Sequence, residues 1–170
     1  MEVRRLASPD DLAGLQRVNA LAWRAAYSGL VPESVLDSLS TDVSDDTAER
    51  RFEELRDADG RVFVAERNDA IVGYARVRWT DTERFVNPGE AGLTELYVHP
   101  DHWQEGIGTA LLDRVLDSLP DDTDALVLEA LAGNERAQAF STRRGFVHAG
   151  SRTAEFAGDE LETAIYRRDL

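Results

Sequence analysis

The 170-residue chain contains no cysteine, no lysine and no long apolar segment. The lack of cysteine excludes disulfides, zinc sites built from thiolates and a cysteine nucleophile. No apolar run approaches the roughly 18 residues that a membrane span requires, and the segment Met1–Leu6 lacks the apolar stretch of a secretory signal. We therefore expect a cytoplasmic protein with no membrane partner.

The charge balance is strongly acidic. Against 33 aspartates and glutamates stand 19 basic residues, all of them arginine, and the net charge is −14. Such an excess opposes non-specific binding to nucleic acid, so we predict no nucleic-acid partner. It also fits a halophilic protein in a very salty cytoplasm, where charges are screened within about 3 Å at 1 M salt. The lack of lysine favours adaptation to salt over attraction of cationic substrates, although the two are compatible.

The apolar periodicity predicts an α/β (α+β) fold. A chain of this length is expected to form one domain over residues 1–170. An edge strand, three helical segments and a hairpin that turns at Asn68-Asp69 are followed by alternating strands and helices. Ser8 is expected to cap the first helix, and Gly73 inside a strand suggests a bulge or a close backbone approach.

The stretch Thr94–Leu112 predicts a strand, a turn with Gly106 and Gly108, and an amphipathic helix. A glycine-rich helix N-terminus exposes backbone N–H groups that can bind a phosphate or pyrophosphate. A P-loop is excluded, because the chain has no Gly-Lys-Ser/Thr sequence. A Rossmann dinucleotide site is disfavoured, because Leu111 replaces the third glycine and seven residues separate the strand from the first one, although Glu129 lies at about the expected distance.

Two spaced motifs indicate which phosphate ligand this turn holds. The first is Leu96-Tyr-Val-x-Pro100, then five residues, then Gly106-Ile-Gly-x-x-Leu-Leu112; the second is Asn134-x-x-Ala-x-x-Phe140, ending in Arg144-Gly-Phe. Together they resemble the acetyl-CoA motifs of the GNAT (Gcn5-related) N-acetyltransferases. The resemblance covers essentially the whole chain. It implies a central mixed, mostly antiparallel twisted sheet flanked by helices, and acetyl transfer from acetyl-CoA to a primary amine of a small molecule or a peptide N-terminus.

The resemblance also implies how the coenzyme binds. Backbone N–H groups of the glycine turn would hold the pyrophosphate, strand backbone groups would pair with the pantetheine arm as an added strand, and Asn134 would contact the same arm. The chain departs from the family at Trp103, where arginine or glutamine is usual. The residues expected to bind the coenzyme are Leu96, Tyr97, Val98, Gln104, Glu105, Gly106, Ile107, Gly108, Thr109, Asn134, Ala137 and Phe140.

Acetyl transfer needs a base for the amine and a proton for the departing thiolate. Glu95 is the first candidate base. Glu129 is the second, because a carboxylate in an apolar strand should be partly desolvated; each could instead be an arginine partner. The tyrosine that protonates the thiolate in many family members is Ser141 here, and a serine hydroxyl is a poor acid. Tyr97 is the nearest alternative donor, unless it belongs to the core.

Trp23 and Tyr27 lie four residues apart near the end of the first helix, which borders the acceptor site in this family. They are expected to contact the acceptor or, alternatively, to belong to the core. No metal is expected, because the three histidines lack ligand spacing, and the chain is compatible with a homodimer. Because of Ser141, an acyl-CoA-binding module with impaired catalysis remains the alternative to an enzyme.

Overall fold

A computed structural model describes residues 1–80, 82–156 and 158–170, without the side chain of Phe156. In these ranges the chain forms seven strands and five α-helices, with one 3-10 turn at Pro100–His102. The helices are α1 (Asp11–Tyr27), α2 (Glu33–Ser38), α3 (Asp45–Asp57), α4 (Ile107–Ser118) and α5 (Glu135–Arg143). The strands are β1 (Glu2–Arg5), β2 (Gly60–Arg67), β3 (Ala70–Arg78), β4 (Ala91–Val98), β5 (Ala125–Leu131), β6 (Val147–Phe156) and β7 (Asp159–Asp169).

The seven strands form one sheet in the order β1-β2-β3-β4-β5-β7-β6. Every neighbouring pair is antiparallel except β4 and β5, which are parallel. The predicted edge strand β1 stands at one end of this order and pairs with β2, and the predicted hairpin turns at Asn68 and Asp69, which both have positive φ angles. The mixed, mostly antiparallel sheet flanked by helices is therefore confirmed.

Helices cover both faces of the sheet. On one face, here called the α1 face, α1 packs Leu15 and Val18 against Val62, Val64 and Tyr74 of the hairpin. The opposite face carries α4 and is called the α4 face. Its larger core contains the buried stripe of α4 and faces of five strands, and Ala137 and Phe140 of α5 pack against it. A ligand on the α1 face is consequently separated from α4 by the sheet, except where the sheet is open.

Two local predictions have different outcomes. The expectation that Ser8 caps the first helix is wrong: α1 begins at Asp11, and the preceding residue makes no capping bond from its side chain. The Asp11 carboxylate instead accepts a hydrogen bond from the N–H of Ala7 at 2.9 Å and pairs with Arg4, so this acid fixes the start of the helix. The Gly73 prediction is confirmed, since a Cβ there would lie 3.1 Å from Cγ2 of Ile107.

Candidate active site

Strands β4 and β5 separate shortly after they meet. They pair only at Ala91 with Leu126 and at Gly92 with Val127. Strand β4 also has a bulge where it pairs with β3. Leu93 lies opposite Val77 and Glu95 lies opposite Arg76, so Thr94 is an extra residue without a partner in β3. A bulge bends its strand. From Thr94 onward one backbone edge of β4 therefore faces an opening in the sheet.

The glycine turn lies at the end of this open edge. Gly106 has a φ of 83° and the non-glycine residue Gln104 a φ of 67°, so the chain curls tightly before α4. The first bond of the helix runs from the Ala110 N–H to the Gly106 carbonyl at 3.0 Å. The N–H groups of residues 107–109 precede that bond and point out of the helix end. They are the groups that the sequence predicts to bind an anion.

Gly108 has a packing role as well. A Cβ at this position would lie 3.4 Å from the ring of Phe140 on α5. Ala137 and Phe140 are thus supports beneath the turn, and Asn134 caps α5 by accepting a hydrogen bond from the Ala137 N–H at 3.2 Å. The two sequence motifs therefore meet in space, on α4 and α5.

Trp103 takes the place of the usual arginine or glutamine, and the structure supplies a cation beside it. The indole N–H of Trp103 donates to the Val98 carbonyl at 2.8 Å. The guanidinium of Arg136, on α5, lies 4.3 Å from the centre of the Trp103 ring, in the range of a cation–π contact. Arg136 is exposed, so its charge is available next to the anion site.

The turn also contains a negatively charged residue, Glu105, which is paired with residues outside the turn. Glu105 accepts a hydrogen bond from Arg67, at the end of β2, and is 3.0 Å from Nδ1 of His102. These contacts, led by that of Arg67, lower the pKa of the Glu105 carboxyl. The side chain of the predicted coenzyme residue Glu105 therefore anchors the turn to the hairpin.

A cavity of about 210 Å³ opens on the α1 face at the gap between β4 and β5. It contains both predicted acceptor-site residues, the candidate proton donor Tyr97 and one predicted catalytic carboxylate. It also contains residues of the loop before β4 and of β7. Its lining is Trp23, Tyr27, Glu83, Phe85, Val86, Gly92, Leu93, Thr94, Tyr97, Val127, Glu129, Ala130, Leu131, Ala154 and Thr163.

The two candidate bases lie on opposite sides of the gap. Glu129 of β5 lines the cavity, accepts a hydrogen bond from Thr163 at 2.7 Å and pairs with Arg152. Glu95 of β4 is not part of the lining. It accepts a hydrogen bond from the Tyr74 hydroxyl at 2.6 Å and has Arg76 at 3.5 Å. Both carboxylates are paired, but only Glu129 is placed for direct contact with a ligand in the cavity.

Three aromatic residues form one wall of the cavity. The rings of Trp23 and Tyr27 meet edge to face at 4.8 Å, and the ring of Tyr97 is 6.4 Å from Trp23. Burial raises the pKa of the Tyr97 phenol well above its usual value, and the neighbouring Tyr27 raises it further. Burial also raises the pKa of Tyr27, opposed by hydrogen bonds from Tyr97 and Asn134. All three phenol and indole groups thus belong to the cavity wall as well as to the packing of α1.

No described residues form a group of three or more histidines and carboxylates that could hold a metal ion. In the same described ranges, no helix is long and apolar enough to cross a bilayer.

Comparison with known proteins fits this geometry. The model of the acetyltransferase (GNAT) family matches residues 22–146, which include the end of α1, the open edge of β4, the glycine turn and all of α5. The protein belongs to this family.

Two proteins with curated names are similar to parts of the chain. Mycothiol acetyltransferase of Parafrankia sp. (strain EAN1pec) is 37% identical over 84 residues, which are 49% of this chain and 23% of that protein. The L-amino acid N-acyltransferase MnaT of Escherichia coli (strain K12) is 38% identical over 61 residues, or 35% of this chain and 34% of that protein. The matched regions thus span about a third of those relatives or less.

Solved structures match over nearly the whole chain and show the fold. Ribosomal-protein-alanine N-acetyltransferase from Brucella melitensis superposes with a TM-score of 0.76 at 22% identity and covers 100% of both chains. PaiA N-acetyltransferase from Thermoplasma acidophilum, solved in complex with coenzyme A, gives a TM-score of 0.72 at 19% identity and covers 99% of this chain and 98% of that one.

Sequence reasoning missed several residues around the site. Arg136 could have been noticed, because it stands two residues after Asn134 in the second motif. Arg152, Thr163 and Phe85 carry no local signal, because they reach the cavity only through the pairing of β5, β6 and β7 and through the loop before β4.

Proposed function

We propose that this protein transfers the acetyl group of acetyl-CoA to a primary amine of a small molecule or of a peptide N-terminus. One observation carries the proposal: the open edge of β4 leads from the anion site at the glycine turn to a cavity with a carboxylate, Glu129, in its wall. An extended arm can add to a free strand edge through main-chain hydrogen bonds. That edge is long enough to join a phosphate site to an acceptor site.

Each part of the site has a role in this reaction. The turn Gln104–Thr109 and Arg136 hold the pyrophosphate end, and backbone groups of residues 96–98 hold the pantetheine arm. The acceptor amine enters the cavity beside Trp23. Glu129 takes its proton directly, and Glu95, on the same face but outside the lining, can serve only through a bridging water.

The cavity supports a small acceptor group. Its 210 Å³ is many times the roughly 10–15 Å³ that one water molecule requires, enough for a small amine or for the first residue of a peptide. Related proteins are named for acceptors of both kinds, an amino acid in one case and a ribosomal protein in another.

A second candidate function is an acyl-CoA-binding module that transfers poorly or not at all. Ser141, in the usual position of the acid, is 2% exposed and donates its hydroxyl proton to the Ala137 carbonyl at 2.8 Å. It cannot protonate a thiolate from that position. The protein is then a binding module, unless another group supplies the proton to the thiolate.

Release of free thiol from acetyl-CoA separates the two functions. Because the protein has no cysteine, a thiol-reactive dye reports only coenzyme A. The assay uses a panel of amines, including free amino acids, polyamines and short peptides, at low salt and at molar salt, since the net charge of −14 supports a halophilic origin. Mass spectrometry of the amine identifies the product.

The outcomes are distinct. Amine-dependent thiol release with an acetylated product supports the enzyme. Calorimetric binding of coenzyme A without release above the buffer rate for any amine supports the module. Absence of coenzyme A binding at both salt concentrations would overturn both.

A further inference from the structure

The hydroxyl groups around the cavity differ in where their protons point. Four of the described lining residues carry a hydroxyl: Tyr27, Thr94, Tyr97 and Thr163. Thr94 donates to the Arg76 carbonyl at 3.2 Å, and Thr163 donates to the Glu129 carboxylate at 2.7 Å. The protons of these two threonines are therefore engaged within the protein.

The two tyrosines act on each other. The hydrogen bond between their phenols raises the pKa of Tyr97 and lowers that of Tyr27, so it favours the neutral form of Tyr97 and the anionic form of Tyr27. Tyr97 is also the more strongly shifted of the two, with its pKa raised well above the usual value. Tyr97 is thus the phenol that holds its proton more tightly.

Asn134 acts on Tyr27 in the same sense. Its side-chain oxygen already accepts the Ala137 N–H at 3.2 Å, so its amide NH₂ is the group left to donate to the Tyr27 hydroxyl. A phenol oxygen that accepts two hydrogen bonds still has its own proton to give. Because the two threonine hydroxyls donate within the protein, the two phenols are the remaining donors of the described lining, and Tyr27 is the one whose anionic form its neighbours favour.

Tyr27 also lies near the connection between β5 and α5. The loop after α1 brings Leu30 onto Gly133, where an added Cβ would be 2.6 Å from the Leu30 side chain. This contact brings the end of α1 to the β5–α5 connection, next to Asn134. A thioester held along the open edge of β4 would therefore reach the cavity between Tyr97, on that strand, and Tyr27.

We propose that Tyr27 is a catalytic residue, the proton donor to the departing coenzyme A thiolate, in place of the tyrosine that Ser141 replaces. The proposal rests on the acetyl transfer proposed above. The amine nitrogen forms a bond to the thioester carbon, the carbon–sulfur bond breaks with its electron pair on sulfur, and the sulfur takes the Tyr27 proton. The phenolate then regains a proton from solvent, which also receives the amine proton by way of the base.

The arrangement supports this role chemically. The phenolate that forms on Tyr27 would accept hydrogen bonds from Tyr97 and Asn134, and donors already oriented toward a developing charge stabilise it without reorganisation. The burial that raises the pKa of Tyr27 also keeps it protonated at neutral pH. Tyr27 therefore carries its proton before the thiolate leaves.

The first test is Tyr27→Phe with acetyl-CoA and an accepted amine. Because a positioned general acid contributes roughly 100-fold or more, we expect kcat to fall by about that factor, while calorimetric affinity for coenzyme A stays within about twofold, since main-chain groups bind the coenzyme. Tyr166→Phe is the matched control. It removes a hydroxyl that donates to Gln138 on the α4 face, and it should leave kcat unchanged.

The second test separates proton donation from positioning. Replacement of Tyr27 by 3,5-difluorotyrosine keeps the ring and its hydrogen bonds but makes the phenol more acidic. If Tyr27 is the acid, kcat then falls as the pH rises through the neutral range, because the fluorinated phenol loses the proton it must donate. The same replacement at Tyr166 should leave the pH profile of the natural protein.

Three results would overturn the proposal: a Tyr27→Phe variant that keeps kcat within about threefold, a fluorinated protein with the natural pH profile, or a larger loss in Tyr97→Phe than in Tyr27→Phe. The last result would assign the acid to Tyr97. Failure of the proposed function looks different, because the natural protein itself would then release no thiol with any amine.

Discussion

The two sides of the candidate site differ in what they present to a ligand. The side proposed to bind the coenzyme consists of main-chain groups, namely the open edge of β4 and the turn before α4, with Gly106 in a left-handed conformation. The side proposed to bind the acceptor consists of side chains, among them Trp23, Tyr27, Glu129 and Thr163. Main-chain groups are the same whatever the residue, whereas a side-chain pocket changes with every substitution.

This difference explains how one chain can keep a family coenzyme and have its own acceptor. On the coenzyme side, even the departure at Trp103 leaves the turn intact, because Arg136 from α5 supplies a cation next to it. Ser141, by contrast, cannot serve as the acid, because it is buried in α5 and donates to the Ala137 carbonyl, so an acid has to come from the side chains around the cavity. We therefore expect substitutions on the coenzyme side to change binding, and substitutions on the acceptor side to change turnover.

The largest effect is expected from Gly108→Glu. The new side chain would press on Phe140, because the Cβ alone lies 3.4 Å from that ring, and it would place a carboxylate at the anion site. Calorimetry should show at least about 100-fold weaker binding of coenzyme A, equivalent to about 2.7 kcal/mol. Gly150→Glu is the control, since its Cβ would enter open space in β6. Equal affinities of the two variants would contradict the placement of the coenzyme.

The next effect concerns the base. Glu129→Gln should lower kcat by about 100-fold with little change in coenzyme A affinity, because Glu129 lines the cavity. Glu95→Gln should lower kcat by a smaller factor, about 10-fold, because Glu95 lies outside the lining. Thiol release under saturating substrates measures both. A reversed order would favour the sequence-based preference for Glu95 and show that the cavity wall does not identify the base.

Arg136→Gln tests whether the coenzyme side uses any side chain at all. Loss of one exposed cation near a phosphate should weaken coenzyme A binding about fivefold, with kcat unchanged. The difference should shrink at molar salt, where screening acts within about 3 Å. Arg143→Gln is the control, because it removes an exposed arginine from the same helix, where Arg143 donates to the Ala139 carbonyl. If the two variants bind coenzyme A with equal affinity, Arg136 does not contribute to binding, and main-chain groups alone hold the coenzyme.

The same difference decides what the sequence could predict. The glycine turn depends on residues close together in the chain, so the spacing of Gly106 and Gly108 was enough to locate it. The setting of Glu129 depends on strand register. Thr163 of β7 lies opposite Leu131 of β5, and Arg152 of β6 lies opposite Thr163. A slip of the register by one residue would turn both side chains to the other face of the sheet. No local pattern contains that information.

The smallest effect, without consequence at neutral pH, concerns the buried phenols of the α1 face. Burial raises the pKa of Tyr74 and Tyr97 well above the usual 10.0, and Glu95 adds to the effect on Tyr74. A raised folded-state pKa means that stability is complete below about pH 10, where neither state ionises. Above it the unfolded chain ionises first, so each group should lower the free energy of unfolding by about 1.4 kcal/mol per pH unit. Urea unfolding between pH 9 and 11 should show this loss, and Tyr97→Phe should flatten it. If the free energy of unfolding of that variant falls with pH as steeply as in the natural protein, the Tyr97 phenol is open to solvent. The wall of the acceptor cavity would then be looser than the packing of Trp23, Tyr27 and Tyr97 indicates.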